Sequence, residues 1–267
     1  MAHILLPTDL SEFSLNAAKK VIGLFGGPDN TYTLVHTYSA IGLADPMAPS
    51  MLPEIQKVHD EGLETFEKTL RRECDLSGAI VRRIVAFGPL PGVVDEVARE
   101  QDIDLVVMAS AGGGSSFFGS HTTGVIQTTH VPVLEIPAET GTLSFRKVLF
   151  ADDRSSIAPH TLDILAAIAR LNGAEIVIVH VATGRPGSAQ VDNSELFDRA
   201  FSGLKHRTIM VENDDVEEAL FEIAGRENAD LIALLHRHSG LWQGLMRPST
   251  TKRVALHSTI PVLALEQ

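Results

Sequence analysis

Residues able to hold a phosphate are concentrated between Asp104 and Pro137. There the apolar run Leu105-Val106-Val107-Met108 breaks into Ala109-Ser110-Ala111-Gly112-Gly113-Gly114-Ser115-Ser116 and then Gly119-Ser120-His121-Thr122. Glycine lacks a Cβ, so backbone can approach a ligand closely or turn sharply. Small residues leading into a helix start also present free N–H groups at the positive end of the helix dipole, which is what an anion needs. A surface loop is the plainer use of the same residues. Two named glycine motifs are absent. No G-x-x-x-x-G-K-[ST] occurs, and G-x-G-x-x-G read from Gly112 would need glycine where Phe117 stands.

Other groups point to less chemistry. Asp152-Asp153 reads as an acidic pair or as a helix cap at a strand end. His236 and His238 have strand-like spacing for two metal ligands, but no third ligand is near, so no metal site is predicted. Arg237, Arg247, Lys252 and Arg253 either attract an anion or form a solvated basic face. Cys74 is the single cysteine, which excludes an intrachain disulfide and reads as a passive small residue. With no G-x-S-x-G elbow and no H-E-x-x-H, no catalytic residue is predicted.

The elements that must position these residues alternate between strand and helix. Ile4-Leu5-Leu6 is a buried strand ending at Pro7-Thr8-Asp9, and Ser11 caps a helix whose Leu15, Ala18, Ile22 and Phe25 share a face. Thr31 to Thr37 is a second strand with His36 near its end. Residues 38–53 read as a loop, expected to be mobile without ligand, followed by a helix with the stripe Val58, Leu63, Phe66 and Leu70. Val81 to Phe87 is a strand, Val93 to Glu100 a helix, and the phosphate-binding stretch supplies a strand, the helix Thr122 to Thr129 and the strand Val131 to Ile136. This alternation predicts a parallel, doubly wound α/β sheet, whose ligands sit at the carboxyl ends of the strands.

The chain then repeats itself. Val148-Leu149-Phe150-Ala151-Asp152-Asp153-Arg154-Ser155 follows Ile4-Leu5-Leu6-Pro7-Thr8-Asp9-Leu10-Ser11 at an offset of 144, and His180 follows His36 at the same offset. Asp230-Leu231-Ile232 answers Asp104-Leu105-Val106, and Ile260-Pro261-Val262-Leu263 answers Val131-Pro132-Val133-Leu134. Ordered matches of this kind indicate a tandem duplication. Two five-stranded domains are predicted, 1–138 and 145–267, related by a pseudo-twofold axis. Their apolar last strands should pair, since each would otherwise be an exposed edge.

The glycine stretch resembles the nucleotide-binding signature of the universal stress protein family, which reads Met-Gly-x-x-Gly, nine residues, Gly-Ser or Gly-Thr, eleven residues, Pro-Val-Leu. Met108, Gly112, Gly119-Ser120 and Pro132-Val133-Leu134 match it; Ala109 replaces the first glycine, and Gly113 to Phe118 is a spacer of six. Pro-Thr-Asp-x-Ser opening the chain and Leu-x-His ending the second strand are also similar to the family. In the second half the spacer Ser239 to Arg247 keeps its nine residues, but Leu235, His238 and Pro248 stand where glycines belong. The resemblance implies an adenine nucleotide, ATP with Mg accompanying it, bound by the first half alone. Asp9, after Pro7 and Thr8, would face the base or ribose, unless it caps the next helix. Thr37 would line the adenine pocket, Met108 and Ala109 would border base or sugar, and Gly112 would admit a phosphate. Gly119, Ser120, His121 and Thr122 would contact phosphates. The role implied is that of a stress-response sensor or regulator, with at most slow ATP hydrolysis. A member that binds no nucleotide and serves as a protein-interaction scaffold is the alternative.

Composition bounds the rest. The 267 residues carry a net charge of −12 with 44% hydrophobic and 21% charged residues, an ordinary globular balance. An acidic surface argues against nucleic acid or anionic membrane as a general partner. No apolar run approaches the ~20 residues of a membrane span, and Met1-Ala2-His3-Ile4 has no basic n-region. A cytoplasmic protein is expected, with a regulatory protein or a homodimer as further partners.

Overall fold

The computed structural model describes residues 2–38, 48–110, 120–137, 140–183, 191–236 and 260–267. These form two compact units, one drawn from the residues up to Ser110 with 120–131, the other from Pro132 onward. The first unit contains β1 (His3–Pro7), α1 (Glu12–Phe25), β2 (Thr31–Tyr38), α2 (Ala48–Glu73), β3 (Ile80–Phe87), α3 (Leu90–Glu100), β4 (Leu105–Ser110) and α4 (Ser120–Thr128). Its strands run in the order β3-β2-β1-β4, with parallel pairing throughout. Ile4, Leu5, Leu105 and Val106 have no exposed surface, which is why β1 and β4 read as continuous apolar runs rather than alternating ones.

The helices are set by their caps and their apolar faces. Ser11 caps α1, its Oγ accepting from the Ser14 N–H at 3.2 Å, and the helix stops at Gly26, whose φ of 43° suits glycine. The buried face of α1 is Ser14, Ala17, Ala18, Val21 and Ile22, so the expected Leu15 and Phe25 lie at its margins, partly exposed. In α2 Leu63, Phe66 and Leu70 are buried as expected, but Val58 is 67% exposed. His59 stands in its place, four residues before Leu63, completing the i, i+4, i+7, i+11 row. Helix α2 also begins earlier than expected, at Ala48, with Pro53 inside it. That part of the expected loop is therefore helical, and residues 39–47 lie outside the described residues.

The second unit contains β5 (Val133–Pro137), β6 (Lys147–Ala151), a 3-10 turn (Pro159–Leu162) running into α5 (Asp163–Asn172), β7 (Glu175–Ala182), α6 (Ser194–Ala200), β8 (Lys205–Glu212), α7 (Val216–Glu227), β9 (Leu231–His236) and β10 (Val262–Glu266). The strand order is β5-β10-β9-β6-β7-β8. All pairs are parallel except β5 with β10, where Val133, Leu134 and Glu135 lie opposite Ala264, Leu263 and Val262. The two last strands of the repeats thus pair as expected, and neither is left as a bare apolar edge. Strands β3 and β8, each at an edge of its own unit, carry charge instead. Arg83 on β3 bonds Glu67 at 2.9 Å, and Arg207 on β8 bonds Glu175 at 2.9 Å and Glu227.

Candidate functional site

The order β3-β2-β1-β4 places a switch of direction between β1 and β4, since the chain leaves β1 toward β2 on one side and returns to β4 on the other. At the carboxyl end of β1 the chain makes a tight turn through Thr8-Asp9-Leu10-Ser11. The Thr8 N–H still donates to the Val35 carbonyl at 2.8 Å. The buried Thr8 hydroxyl then accepts from the Leu10 N–H at 2.9 Å and lies 2.8 Å from Ser14 Oγ. Ser14 Oγ gives its own hydrogen to the Ser11 carbonyl at 3.0 Å, so Thr8 is the donor between the two hydroxyls. These bonds hold Leu10 at φ 64°, a left-handed conformation that costs an L-residue about 1–2 kcal/mol.

Asp9 rides on this turn with its side chain exposed, its carboxylate accepting from the Ser11 N–H at 3.0 Å. The α1 cap is the Ser11 hydroxyl, which leaves Asp9 bonded to the turn rather than to the helix start. Desolvation pushes the Asp9 carboxyl up, but the hydrogen bonds within its turn, those from Ser11 foremost, outweigh it and hold the group below its ordinary value. Asp9 is thus an ionised acceptor at the mouth of the switch point.

Pro7, Thr8 and Ala109 come together around one small void of about 10 Å³ under the turn, closed on the other side by Ser14, Ala17 and Phe66. Met108 is buried in β4 beside them, whereas Ala109 and Thr37 are half-buried at the ends of their strands. Ala109 leaves no long side chain at the end of β4. Helix α4 starts at Ser120, with His121 exposed and Thr122 1% exposed. It packs on α3 where Gly124 faces Pro91, a contact in which even a Cβ would come within 3.2 Å. Asp95 on α3 then bonds Arg99 at 3.0 Å and His130 at 3.1 Å. Gly112, Gly119 and the Ser120 side chain, the expected phosphate contacts, lie outside the described residues.

One further residue joins the site from α2. The His36 ring, buried at the end of β2, has Nδ1 2.8 Å from the Thr8 carbonyl and Nε2 2.8 Å from His59 Nδ1. His59 stacks on Tyr38, with ring centres 4.8 Å apart and planes 16° off parallel. Burial holds the His59 imidazole below its ordinary value; repulsion from His36 adds to this, and Asp60 opposes it. His59 was missed in the sequence because Val58 is the more hydrophobic neighbour. The row His59, Leu63, Phe66, Leu70 was the signal that could have found it.

The second unit builds the same turn from different side chains. The Asp152 N–H donates to the Val179 carbonyl at 2.9 Å, the Arg154 N–H to Asp152 Oδ1 at 3.0 Å, and the Ser155 N–H to Asp153 Oδ1 at 3.0 Å. Arg154, at φ 53°, takes the left-handed place of Leu10, and His180 Nδ1 meets the Asp152 carbonyl at 3.0 Å. The expected helix-cap role of Asp152-Asp153 is therefore corrected: both carboxylates stabilise the turn, and the first helical turn opens later, at Pro159. Asn193 donates to Asp152 Oδ1 at 3.2 Å and to the Ser155 carbonyl at 2.9 Å, so the chain's own segment closes over Asp152. Burial pushes the Asp152 carboxyl up and the Asp153 charge adds to it, against bonds from Arg154 and Asn193. His236 ends β9, buried; Arg237, His238, Trp242, Arg247, Pro248, Ser249, Lys252 and Arg253 lie outside the described residues. No group of three or more metal-ligating side chains occurs among the described residues, and no described helix is long and apolar enough to cross a membrane.

The model of the universal stress protein family matches this chain twice, over residues 1–137 and 144–266. No curated protein matches the sequence. Among solved structures, a universal stress protein from Archaeoglobus fulgidus is similar with a TM-score of 0.71 at 21% identity, covering 99% of this chain and 96% of that one. A putative universal stress protein from Pseudomonas aeruginosa is similar with a TM-score of 0.57 at 14% identity, covering 99% and 93%. At such identities the two structures speak for the fold alone. The two matches of the family model, which together cover nearly the whole chain, and a strand-end turn built twice 144 positions apart make this chain a member of the universal stress protein family with two family domains in tandem.

Proposed function

We propose that the first half binds one adenine nucleotide, ATP with its accompanying Mg, and that the protein acts in the cytoplasm as a sensor or regulator in a stress response. The observation that carries the reading is the exposed, ionised Asp9 on the rigid turn at the β1–β4 switch point. A carboxylate so placed accepts hydrogen bonds from ribose hydroxyls, and ligands of open α/β sheets enter at this point. Thr37, Met108 and Ala109 would then border the base and sugar, with Pro7 and Thr8 fixing the turn that presents Asp9. Gly112, Gly119, Ser120, His121 and Thr122 would serve the phosphates through backbone N–H groups at the start of α4. The second half is read as non-binding. Asp152 and Asp153 put negative charge at its turn, Asn193 closes over it, and the glycines of the signature are replaced. The nucleotide state would be passed to a regulatory protein partner or to a second copy of the chain.

Ala109 and the six-residue spacer favour a second reading, a scaffold that binds proteins and no nucleotide. Calorimetric titration of ATP with Mg into the nucleotide-free protein separates the two. One site per chain, lost on Asp9→Ala and on Gly119→Val but kept on Ser249→Ala, is the expected result, since Ser249 lies twelve positions before Pro261 as Ser120 lies twelve before Pro132. Two sites, or binding that survives Gly119→Val and fails on Ser249→Ala, overturns the assignment to the first half. No heat at millimolar ATP leaves the scaffold.

A further inference from the structure

His36 is held at both ring nitrogens. A carbonyl oxygen only accepts, so the 2.8 Å contact with Thr8 requires the hydrogen on His36 Nδ1. In the neutral ring Nε2 is then a bare acceptor, and the 2.8 Å contact there requires His59 to donate from its own Nδ1. The bonds therefore run one way, from α2 through β2 to the end of β1. The atom left to take the next proton is His59 Nε2. Protonation there does not reverse the chain: an imidazolium still donates from Nδ1, and a charge-assisted bond is about twice as strong as a neutral one. The second half has the matching His180 contact with the Asp152 carbonyl, over which Asn193 closes.

We propose that His59 is a positioning residue for the first-half site. Through His36 it braces the Thr8-Asp9 turn, and a proton taken up at His59 Nε2 tightens that brace and adds a positive charge beside the crevice. Among the described residues, the groups acting on His59 are His36 and Tyr38 from β2 and Asp60 from its own helix, while β3 contributes the uncharged Phe87, edge-on to Tyr38 at 5.5 Å. Burial, the largest influence on it, holds the His59 imidazole below its ordinary value, so the charge is absent at neutral pH and develops on acidification. A phosphate-bearing ligand should then bind more tightly as pH falls, by roughly three- to tenfold for one added charge in a partly screened crevice. That consequence for affinity rests on the nucleotide reading above; the brace does not.

Two measurements on the full chain test this separately. In nitrogen-15 spectra of the nucleotide-free protein, His36 should keep its hydrogen on Nδ1 while His59 titrates, and the Leu10 and Ser11 amides should shift with the His59 midpoint. His59→Phe should abolish that inflection. His59→Gln, which keeps a donor and does not titrate, should hold His36 in the same tautomer with a flat pH response. A His36 ring carrying its hydrogen on Nε2, or turn amides that ignore the His59 midpoint, overturns the proposal. ATP affinity, taken as the ratio of wild type to His59→Phe at each pH so that ATP's own titration cancels, should rise between pH 7.5 and 5.5. A flat ratio alongside clear ATP binding also overturns it. If wild type binds no ATP at any pH, the nucleotide reading falls and the amide titration alone decides the brace.

Discussion

Replacing Thr8 by valine isolates what the strand-end turn contributes. Valine keeps the shape of threonine and removes the hydroxyl that accepts from the Leu10 N–H at 2.9 Å and donates to Ser14 Oγ at 2.8 Å. Two neutral hydrogen bonds contribute about 1 kcal/mol each, and a donor left without its acceptor in a partly buried turn adds about 1–2 kcal/mol. Leu10 has no further reason to stay at φ 64°, where an L-residue already costs about 1–2 kcal/mol, so the turn should relax and carry Asp9 with it. The expected loss is about 2–4 kcal/mol. Thr8→Ser keeps both bonds and deletes one buried methyl group, for about 1 kcal/mol. Amide hydrogen exchange at residues 10–14 reads the first unit on its own, which bulk unfolding of a two-unit chain does not. The valine protein should exchange faster there than the serine protein and lose ATP affinity. If Thr8→Val costs no more than Thr8→Ser, the hydroxyl does not hold the turn and the reasoning fails.

Gly78 sits at φ 81°, and a Cβ there would lie 2.6 Å from Pro28 Cβ and 3.1 Å from its Cα. Gly78→Ala should therefore cost about 2–4 kcal/mol, read by amide hydrogen exchange in the first unit, from strain plus a clash with a rigid ring. Gly27, at φ 85° with nothing within 4 Å, should cost only the strain, about 1–2 kcal/mol, and equal losses would discount the Pro28 contact. For Asp152 the folded carboxyl is pushed above its ordinary value, so its contribution is favourable below that value and is lost as pH rises through the folded one. Asp152→Asn should thus be more stable than wild type at pH 7, with the difference vanishing below about pH 3. An Asn variant that is less stable at pH 7 would mean that the ionised carboxylate is needed by Arg154 and Asn193.

Strands such as β1 and β4 were legible because a strand covered on both faces has room only for apolar side chains. The Ser11 cap was legible because capping is local, made three residues away. The turn at Asp152-Asp153 was misread for the same kind of reason: Asp serves helix starts and tight turns equally well, and only the later opening of α5 distinguishes them. The start of α2 was hidden by prolines and small residues whose composition resembles a loop. His59 was hidden more deeply. Its role depends on a ring 23 positions earlier in another element, and hydrophobicity favoured Val58, which faces solvent. Pro7, Thr8 and Asp9 could be singled out because they end an apolar strand and match the family's opening motif. The partners of the Thr8 backbone, Val35 and His36, could not, since those come from β2.

The antiparallel pair of β5 and β10 also sets a timetable for synthesis. Val133 pairs with Ala264, 131 positions later, so the β10-facing edge of β5 leaves the ribosome long before its partner exists. At 5–20 residues per second the wait is roughly 7 to 26 seconds, during which an apolar strand presents open main-chain donors and acceptors to any neighbouring nascent chain. Glu135, 3% exposed in the finished unit, is a charge in the middle of that waiting edge. A carboxylate there makes docking of a foreign strand costly while the edge is wet. Chains released before Val262 would carry the open edge permanently. Truncation products therefore lose more than one strand: they become templates for one another.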